Sequence, residues 1–276
     1  MHMAPQSKIR NPQSKIAKPY TALAEGYEAV MAHVDYRRWA GYAHDRLQEH
    51  APTALLPLGP RRLLELGCGT GALARQLQPR GPYRYLATDR SEAMLTVARR
   101  EARAQSLPIR FRPVDFTRVA EDLPEDEASF DAVLLLYDGL NYLLQEREVG
   151  QLMEGAAHVL RPGGLFLFDQ STLANSADGP AEFEYEGAFL QGEASVHYRR
   201  ESRYDPARQL HETAFVLDGP EGRRTERHVQ RAYDQDEIRA VLRASPFSEV
   251  ATYDGLTTDP AGEESRRVHW MAQLRV

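Results

Sequence analysis

The stretch Leu63-Leu64-Glu65-Leu66-Gly67-Cys68-Gly69-Thr70-Gly71-Ala72-Leu73-Ala74 constrains this chain more than any other. Leu63, Leu64 and Leu66 form the apolar run of a short strand covered on both faces. Gly67, Gly69 and Gly71 break that run, and without a Cβ they let backbone approach a ligand closely. Ala72, Leu73, Ala74 and Leu77 then recur at helical spacing. A strand, a glycine turn and a helix N-terminus make a corner whose exposed N–H groups suit a nucleotide.

The spacing Gly67-x-Gly69-x-x-Ala72 also satisfies the loose dinucleotide fingerprint. Three features point elsewhere. Glu65 lies two residues before the first glycine of a Gly-x-Gly-x-Gly run. Asp89 follows the next strand, Tyr83 to Thr88, twenty residues after Gly69, where a carboxylate reaches both ribose hydroxyls. Asp115 follows the third strand, Ile109 to Val114, and precedes Phe116. NAD has no use for the third acid, whereas an adenosine with a charged amino-acid tail uses all three.

With Glu65-x-Gly67-Cys68-Gly69-Thr70-Gly71 in place, the sequence resembles the class I S-adenosylmethionine (SAM)-dependent methyltransferases, from about Tyr20 to the C-terminus. Within that superfamily it looks like small bacterial members with a Y-x6-Y-x7-D-Y-x2-W segment, here Tyr20, Tyr27, Asp35-Tyr36 and Trp39. Amino-sugar N,N-dimethyltransferases look like more distant cousins. The resemblance implies a Rossmann-like α/β sheet of seven strands, the last antiparallel. It implies SAM as cofactor and S-adenosylhomocysteine as product. Glu65 would pair with the ammonium of the methionine tail, and the N–H groups of Gly67, Cys68, Gly69 and Gly71 would hold its carboxylate. Asp89 would take the ribose, with Arg90 beside it, and Asp115 the adenine amino group. Phe116 would stack on the ring or donate its N–H, and Met94 would pack on adenine or on the core. Tyr27 and Tyr20, with Trp39, would wall off the sulfonium, because electron-rich rings attract a cation; read from spacing alone, the three are aromatic core. Tyr137 completes the expected cofactor set.

Apolar residues make up 42% of the 276 positions and charged residues 27%, which fits a globular chain able to bury a full core. A net charge of −6 gives no support to a nucleic-acid partner. Cys68 is the single cysteine; it rules out an intramolecular disulfide and fits a reducing cytoplasm. No apolar run approaches the roughly 20 residues of a membrane span.

Four segments follow from composition and pattern. Residues 1–18 are polar, basic and proline-containing, and read as a disordered tail. Residues 19–172 form the first part of the cofactor-binding core, opened by two helices between Tyr20 and His50 and by a proline-rich connector from Pro52 to Pro60. Strand four, Phe130 to Leu136, leads into Tyr137-Asp138-Gly139-Leu140-Asn141-Tyr142, a loop expected beyond the carboxyl ends of the strands, where ligands bind in such sheets. It is not the Asn/Asp-Pro-Pro-Tyr/Phe tetrapeptide of adenine and glutamine amino-methylases. Asn141 and Tyr142 are the loop groups best placed to meet an acceptor, with capping and packing as the alternative. Asp169, ending strand five at the same rim, reads as a base, an acceptor-holding carboxylate or a cap.

Residues 173–232 switch to period 2, with turns at Asp205-Pro206 and Asp218-Gly219-Pro220, and read as an inserted antiparallel β lid. Its arginines suit a substrate phosphate or carboxylate, or a solvated face. Residues 233–276 return to the core with one helix and the final strand pair. Metal is not expected, since the histidines have no ligand spacing and the one thiol lies in the glycine loop. The expected activity is methyl transfer from SAM to a nitrogen or oxygen atom of a small-molecule acceptor. A nicotinamide-dependent oxidoreductase and a catalytically silent SAM-binding module are the alternatives.

Overall fold

The computed structural model describes residues 15–50, 61–177 and 184–276. In chain order these form β1 (Lys15–Ala17), α1 (Tyr27–Val30), α2 (Tyr36–His50), β2 (Arg61–Glu65), α3 (Ala72–Leu77), β3 (Tyr83–Asp89), α4 (Glu92–Ala104), β4 (Ile109–Pro113) and α5 (Val119–Asp122). There follow β5 (Phe130–Leu135), α6 (Glu146–Val159), β6 (Leu160–Ser171), α7 (Leu173–Ala177), β7 (Tyr185–Gln191), β8 (Ala194–Asp205), β9 (Leu210–Gly219) and β10 (Gly222–Arg231). The chain closes with α8 (Gln235–Ala244), β11 (Phe247–Asp254) and β12 (Arg267–Leu274).

Seven strands make one sheet in the order β11-β12-β6-β5-β2-β3-β4. Strand β2 lies inside the sheet, parallel to β3 and β5, and β12 is antiparallel to both β6 and β11. Strands of a parallel sheet are buried on both faces, and the leucine runs show it residue by residue. Leu64, Val133, Leu135, Phe166 and Phe168 pack on α6 and α8. Their neighbours Leu63, Ala132, Leu134, Leu165 and Leu167 pack on α2 and α3. Caps fix two helix starts: Ser91 accepts from Met94 N–H at 3.3 Å, and Asp234 accepts from Asp236 N–H at 2.7 Å.

Between β6 and α8 the chain builds β7 to β10, which with β1 make a second sheet in the order β1-β10-β9-β8-β7. Its antiparallel pairs run through β7–β8, β8–β9 and β9–β10. Phe189, Val196, Phe215 and Leu217 on one face bury Leu23 and Val30 of the N-terminal segment.

Two expectations change here. Residues 1–14 of the expected tail lie outside the described residues, but Lys15–Ala17 forms a strand parallel to β10. Three residues carry no alternation to read; the open edge of β10 supplies the hydrogen bonds. The first of the two expected N-terminal helices reduces to a 3-10 turn, Ala24–Gly26, and the single turn α1. The connector from Pro52 to Pro60 and residues 178–183 lie outside the described residues.

Gly71 has φ +72°, and a Cβ there would stand 3.2 Å from Ala98 Cβ and from the Phe111 ring. It joins the glycine corner to α4 and β4. Gly71→Ala is expected to lower stability by about 1–3 kcal/mol through backbone strain and crowding. Gly150, inside α6, should respond the other way, because a Cβ added there would meet nothing within 4 Å. Gly150→Ala is expected to raise stability by up to about 1 kcal/mol. Denaturant titration of both variants checks the pair.

Candidate active site

Strand β2 delivers Glu65 to the rim of the sheet, and the chain then turns through the glycine corner. Cys68 N–H donates to Thr88 O at 2.8 Å, and the Thr88 hydroxyl donates to Glu65 O at 2.8 Å, which ties the corner to β3. Asp89, the last residue of β3, accepts from Gly69 N–H at 2.9 Å and from Ser91 N–H at 2.7 Å. Gly69 has φ +55° and faces open space, with only Tyr27 within 4 Å of where a Cβ would stand.

Glu65 and Asp89 are both buried, at 3% and 8% exposure. Burial pushes the Glu65 carboxyl up to about 7, although Tyr85 Oη donates to its Oε2 at 2.9 Å. Burial also raises Asp89, while the Ser91 and Gly69 N–H groups pull it back. The Cys68 thiol is raised by burial and then by the neighbouring carboxylates, so it stays protonated and is no nucleophile.

These groups open on a cavity of about 870 Å³, counted with its open mouth. Its wall is aromatic. Tyr20 and Tyr27 meet edge to face at 5.9 Å, and Trp39 meets Tyr137 at 5.3 Å. Met94, Phe116 and Leu136 give it an apolar side, and Arg90 and Tyr142 also line it. Burial raises the phenols of Tyr20, Tyr27, Tyr137 and Tyr142, so they stay neutral donors. The cavity thus combines two acceptor carboxylates, a cation-attracting wall and an apolar slot.

Of the residues singled out from sequence, Tyr20, Tyr27, Trp39, Glu65, Gly67, Cys68, Gly69, Asp89, Arg90, Met94, Phe116, Tyr137 and Tyr142 line this cavity. Four others do not. Gly71 is occupied with packing. Asp115 turns back on its own loop, its Oδ1 accepting from Thr117 N–H at 3.0 Å and from the Thr117 hydroxyl at 2.8 Å. Asn141 is 1% exposed and joins three segments: its amide donates to Ser171 O at 2.9 Å and to Arg231 O at 2.7 Å, and its Oδ1 accepts from Ser171 N–H at 2.9 Å. That side chain staples the end of β10 to the core instead of facing an acceptor. Asp169 is fully buried, two residues before the end of β6, and is paired with Arg267.

Arg267 was not singled out from sequence, and it organises one side of the cavity. It forks onto Asp138 at 2.6 and 3.0 Å, bonds Asp169, and lies over the rings of Trp39 and Tyr137 at 5.2 and 5.4 Å. Asp138 N–H donates to Asp169 as well, at 3.2 Å. Tyr137 and Asp138 have φ +70° and +64°, a conformation costly for residues with side chains. The clamp holds that strained turn. Burial, opposed by Arg267, leaves Asp169 raised to about 6. A carboxyl raised on folding is most favourable to the folded state at low pH, and that contribution is lost as pH rises through its folded value. Arg267→Met removes the opposing cation and raises Asp169 further, so the loss extends to higher pH. The variant is expected to be destabilised by about 3–5 kcal/mol near neutrality and by less at pH 5. Melting temperatures of both proteins at pH 5, 6.5 and 8 check this.

Among the described residues no group of His, Cys, Asp and Glu could hold a metal ion, and no helix is long and apolar enough to cross a membrane. A family model for a methyltransferase domain matches residues 63–164, from the glycine corner to the start of β6. A putative methyltransferase of Geobacillus sp. (strain WCH70) is 30% identical over 252 residues, covering 89% of this chain and 96% of the relative. A SAM-dependent methyltransferase structure from Clostridium acetobutylicum ATCC 824 superposes with a TM-score of 0.71 at 21% identity, covering 92% and 98% of the two chains. The SAM-bound amino pentose methyltransferase CalS10 of Micromonospora echinaspora superposes with a TM-score of 0.63 at 21% identity, covering 90% and 96%. With a glycine corner and two buried carboxylates at the rim of a seven-stranded sheet, and a relative matched over nearly its whole length, the chain belongs to the SAM-dependent methyltransferases.

Proposed function

We propose that the protein transfers a methyl group to a nitrogen or oxygen atom of a small-molecule acceptor, with its cofactor seated in the cavity beside the glycine corner. The observation that carries this reading is the gathering of Glu65, Asp89 and the tyrosine wall around one cavity. Glu65, an acceptor-only group when ionised, takes the ammonium of the methionine tail. The backbone of Gly67, Cys68 and Gly69 approaches the tail carboxylate. Asp89 takes the ribose hydroxyls, and Met94 and Phe116 flank the adenine. Tyr27, Tyr20 and Trp39, with Tyr36, line the sulfonium end, where neutral electron-rich rings attract a cation without forming an ion pair with it.

SAM supplies a methyl group already carried on a good leaving group. The chain's task is to align an acceptor in line with it and to exclude water. The N-terminal segment does the excluding: Tyr20 and Tyr27 cover the cavity, and that segment is packed against the second sheet. The acceptor enters where Tyr137, Gly139 and Tyr142 form the wall. The raised thiol of Cys68 argues against a covalent enzyme intermediate.

Calorimetric titration tests this reading. S-adenosylhomocysteine is expected to bind with micromolar affinity and NADH not to bind. Glu65 at about 7 is half protonated near neutrality, and an ammonium partner draws it to the carboxylate. Binding at pH 7 should therefore release about half a proton, read by repeating the titration in buffers of different ionisation enthalpy. Glu65→Gln should weaken binding roughly 10- to 100-fold and abolish the proton release. Full affinity in Glu65→Gln would remove Glu65 from the cofactor site.

A further inference from the structure

The inserted sheet contributes a buried histidine to the cavity wall. His228 of β10 is 3% exposed, and its Nδ1 is 2.9 Å from Tyr142 Oη. Tyr142 Oη is in turn hydrogen-bonded to Tyr20 Oη, and both tyrosines line the cavity. The His228 ring packs edge-on against Tyr20 at 4.6 Å and against Phe215 at 5.3 Å, which fixes its plane. Behind it, His228 Nε2 is 3.5 Å from Glu226 Oε2 and makes no hydrogen bond among the described residues. Glu226 is fully buried; it accepts from the N–H groups of Tyr20 at 2.8 Å, Thr21 at 2.9 Å and Leu23 at 3.0 Å, and from Ala22 N–H. Those donors and His228 hold its carboxyl below the usual range, so it is ionised.

An ionised carboxylate only accepts, so a neutral His228 places its proton on Nε2, toward Glu226, and leaves Nδ1 as a lone pair toward Tyr142. The order is then Tyr20 or acceptor hydroxyl, Tyr142 hydroxyl, imidazole, carboxylate. Purely structural support of Tyr142 would not need the carboxylate.

Resting on the methyl-transfer reading, we propose that Tyr142, His228 and Glu226 form a proton relay, and that the acceptor the site takes is a hydroxyl compound such as a phenol. An amine that arrives neutral needs no base, whereas a hydroxyl must shed its proton as it is methylated. The oxygen–carbon bond forms as the carbon–sulfur bond breaks and relieves the positive charge on sulfur. The hydroxyl proton passes to Tyr142 Oη while the proton of Tyr142 passes to His228 Nδ1. The positive charge ends on an imidazolium, and the 3.5 Å gap to Glu226 closes to the shorter distance of a charge-assisted bond. The charged and titratable groups facing this relay are Glu226 on its own strand, Tyr142 and Asp138 on the loop after β5, Tyr20 and Tyr27 on the N-terminal segment, Asp89 at the end of β3 and Arg90 just after it.

Two measurements test the relay. The first is nitrogen NMR of ¹⁵N-histidine-labelled free protein, assigned through His228→Asn. The expected result is the Nε2–H tautomer near pH 7.5, with the Nδ1 signal shifting in Tyr142→Phe. An Nδ1–H tautomer overturns the relay whatever the protein does with SAM. The second is methylation of catechol and of benzylamine with labelled SAM across pH 6–9. Catechol is expected to be the substrate. For it, kcat should fall about 10²- to 10⁴-fold in His228→Asn with KM little changed. Tyr142→Phe should show the same split. A loss confined to KM, a preference for benzylamine, or methylation of neither probe overturns the hydroxyl assignment. Failure of the methyl-transfer reading itself would show separately, as no binding of S-adenosylhomocysteine by the wild-type protein.

Discussion

Two consecutive residues with side chains, Tyr137 and Asp138, are held at positive φ, and the shape of the cavity depends on the ionic clamp that keeps them there. Left alone, that turn would relax at a gain of about 1–3 kcal/mol per residue. Arg267 prevents this by forking onto Asp138 while its own position is fixed by the buried Asp169. The same guanidinium lies over Trp39 and Tyr137, so one cation sets both the backbone turn and two of the rings around the cavity. Gly139 completes the turn: a Cβ there would stand 2.4 Å from Leu135. The strain is thus localised where a central strand ends and the wall of the cavity formed by Tyr137, Gly139 and Tyr142 begins.

The second sheet is attached to this site by polar contacts as well as by its apolar face over Leu23 and Val30. Asn141 staples the end of β10 to the loop after β5 and to the end of β6. Glu226 gathers four successive N–H groups of residues 20–23, and β1 adds three residues to the edge of β10. Tyr20, with φ +61°, leaves that attachment pointing its ring into the cavity wall, and Ser91 Oγ donates to its carbonyl at 2.7 Å. The segment that covers the cavity therefore bridges the inserted sheet and the cofactor-binding core. Movement of either one would be felt at Tyr20.

Much of this was legible in the sequence because it is local. Leucine runs, glycine spacing and acids at strand ends lie within a few residues of one another; they marked single strands and singled out Glu65 and Asp89, and the seven-stranded sheet was implied by the family resemblance that those residues carry. What was not legible depends on residues far apart in the chain. Asn141 and Asp169 looked like acceptor groups because their partners, Ser171, Arg231 and Arg267, are 30 to 98 residues away. Asp115 had a local signal that points the other way: an acid two residues before a threonine closes its own turn. Glu226 and His228 carried a signal too, since residues two apart on a strand share a face. Among scattered lid histidines and a row of arginines, that pairing had no partner in the sequence to give it meaning.

The central claim is that one rim of the sheet holds the cofactor by two buried carboxylates under an aromatic cover. A crystal structure of the complex with S-adenosylhomocysteine tests it most directly. The account predicts the amino group of the ligand within hydrogen-bonding distance of Glu65, the ribose hydroxyls on Asp89, and the thioether sulfur facing Tyr20 and Tyr27. A ligand seated elsewhere, or bound at this rim with Glu65 still paired only to Tyr85, would contradict it.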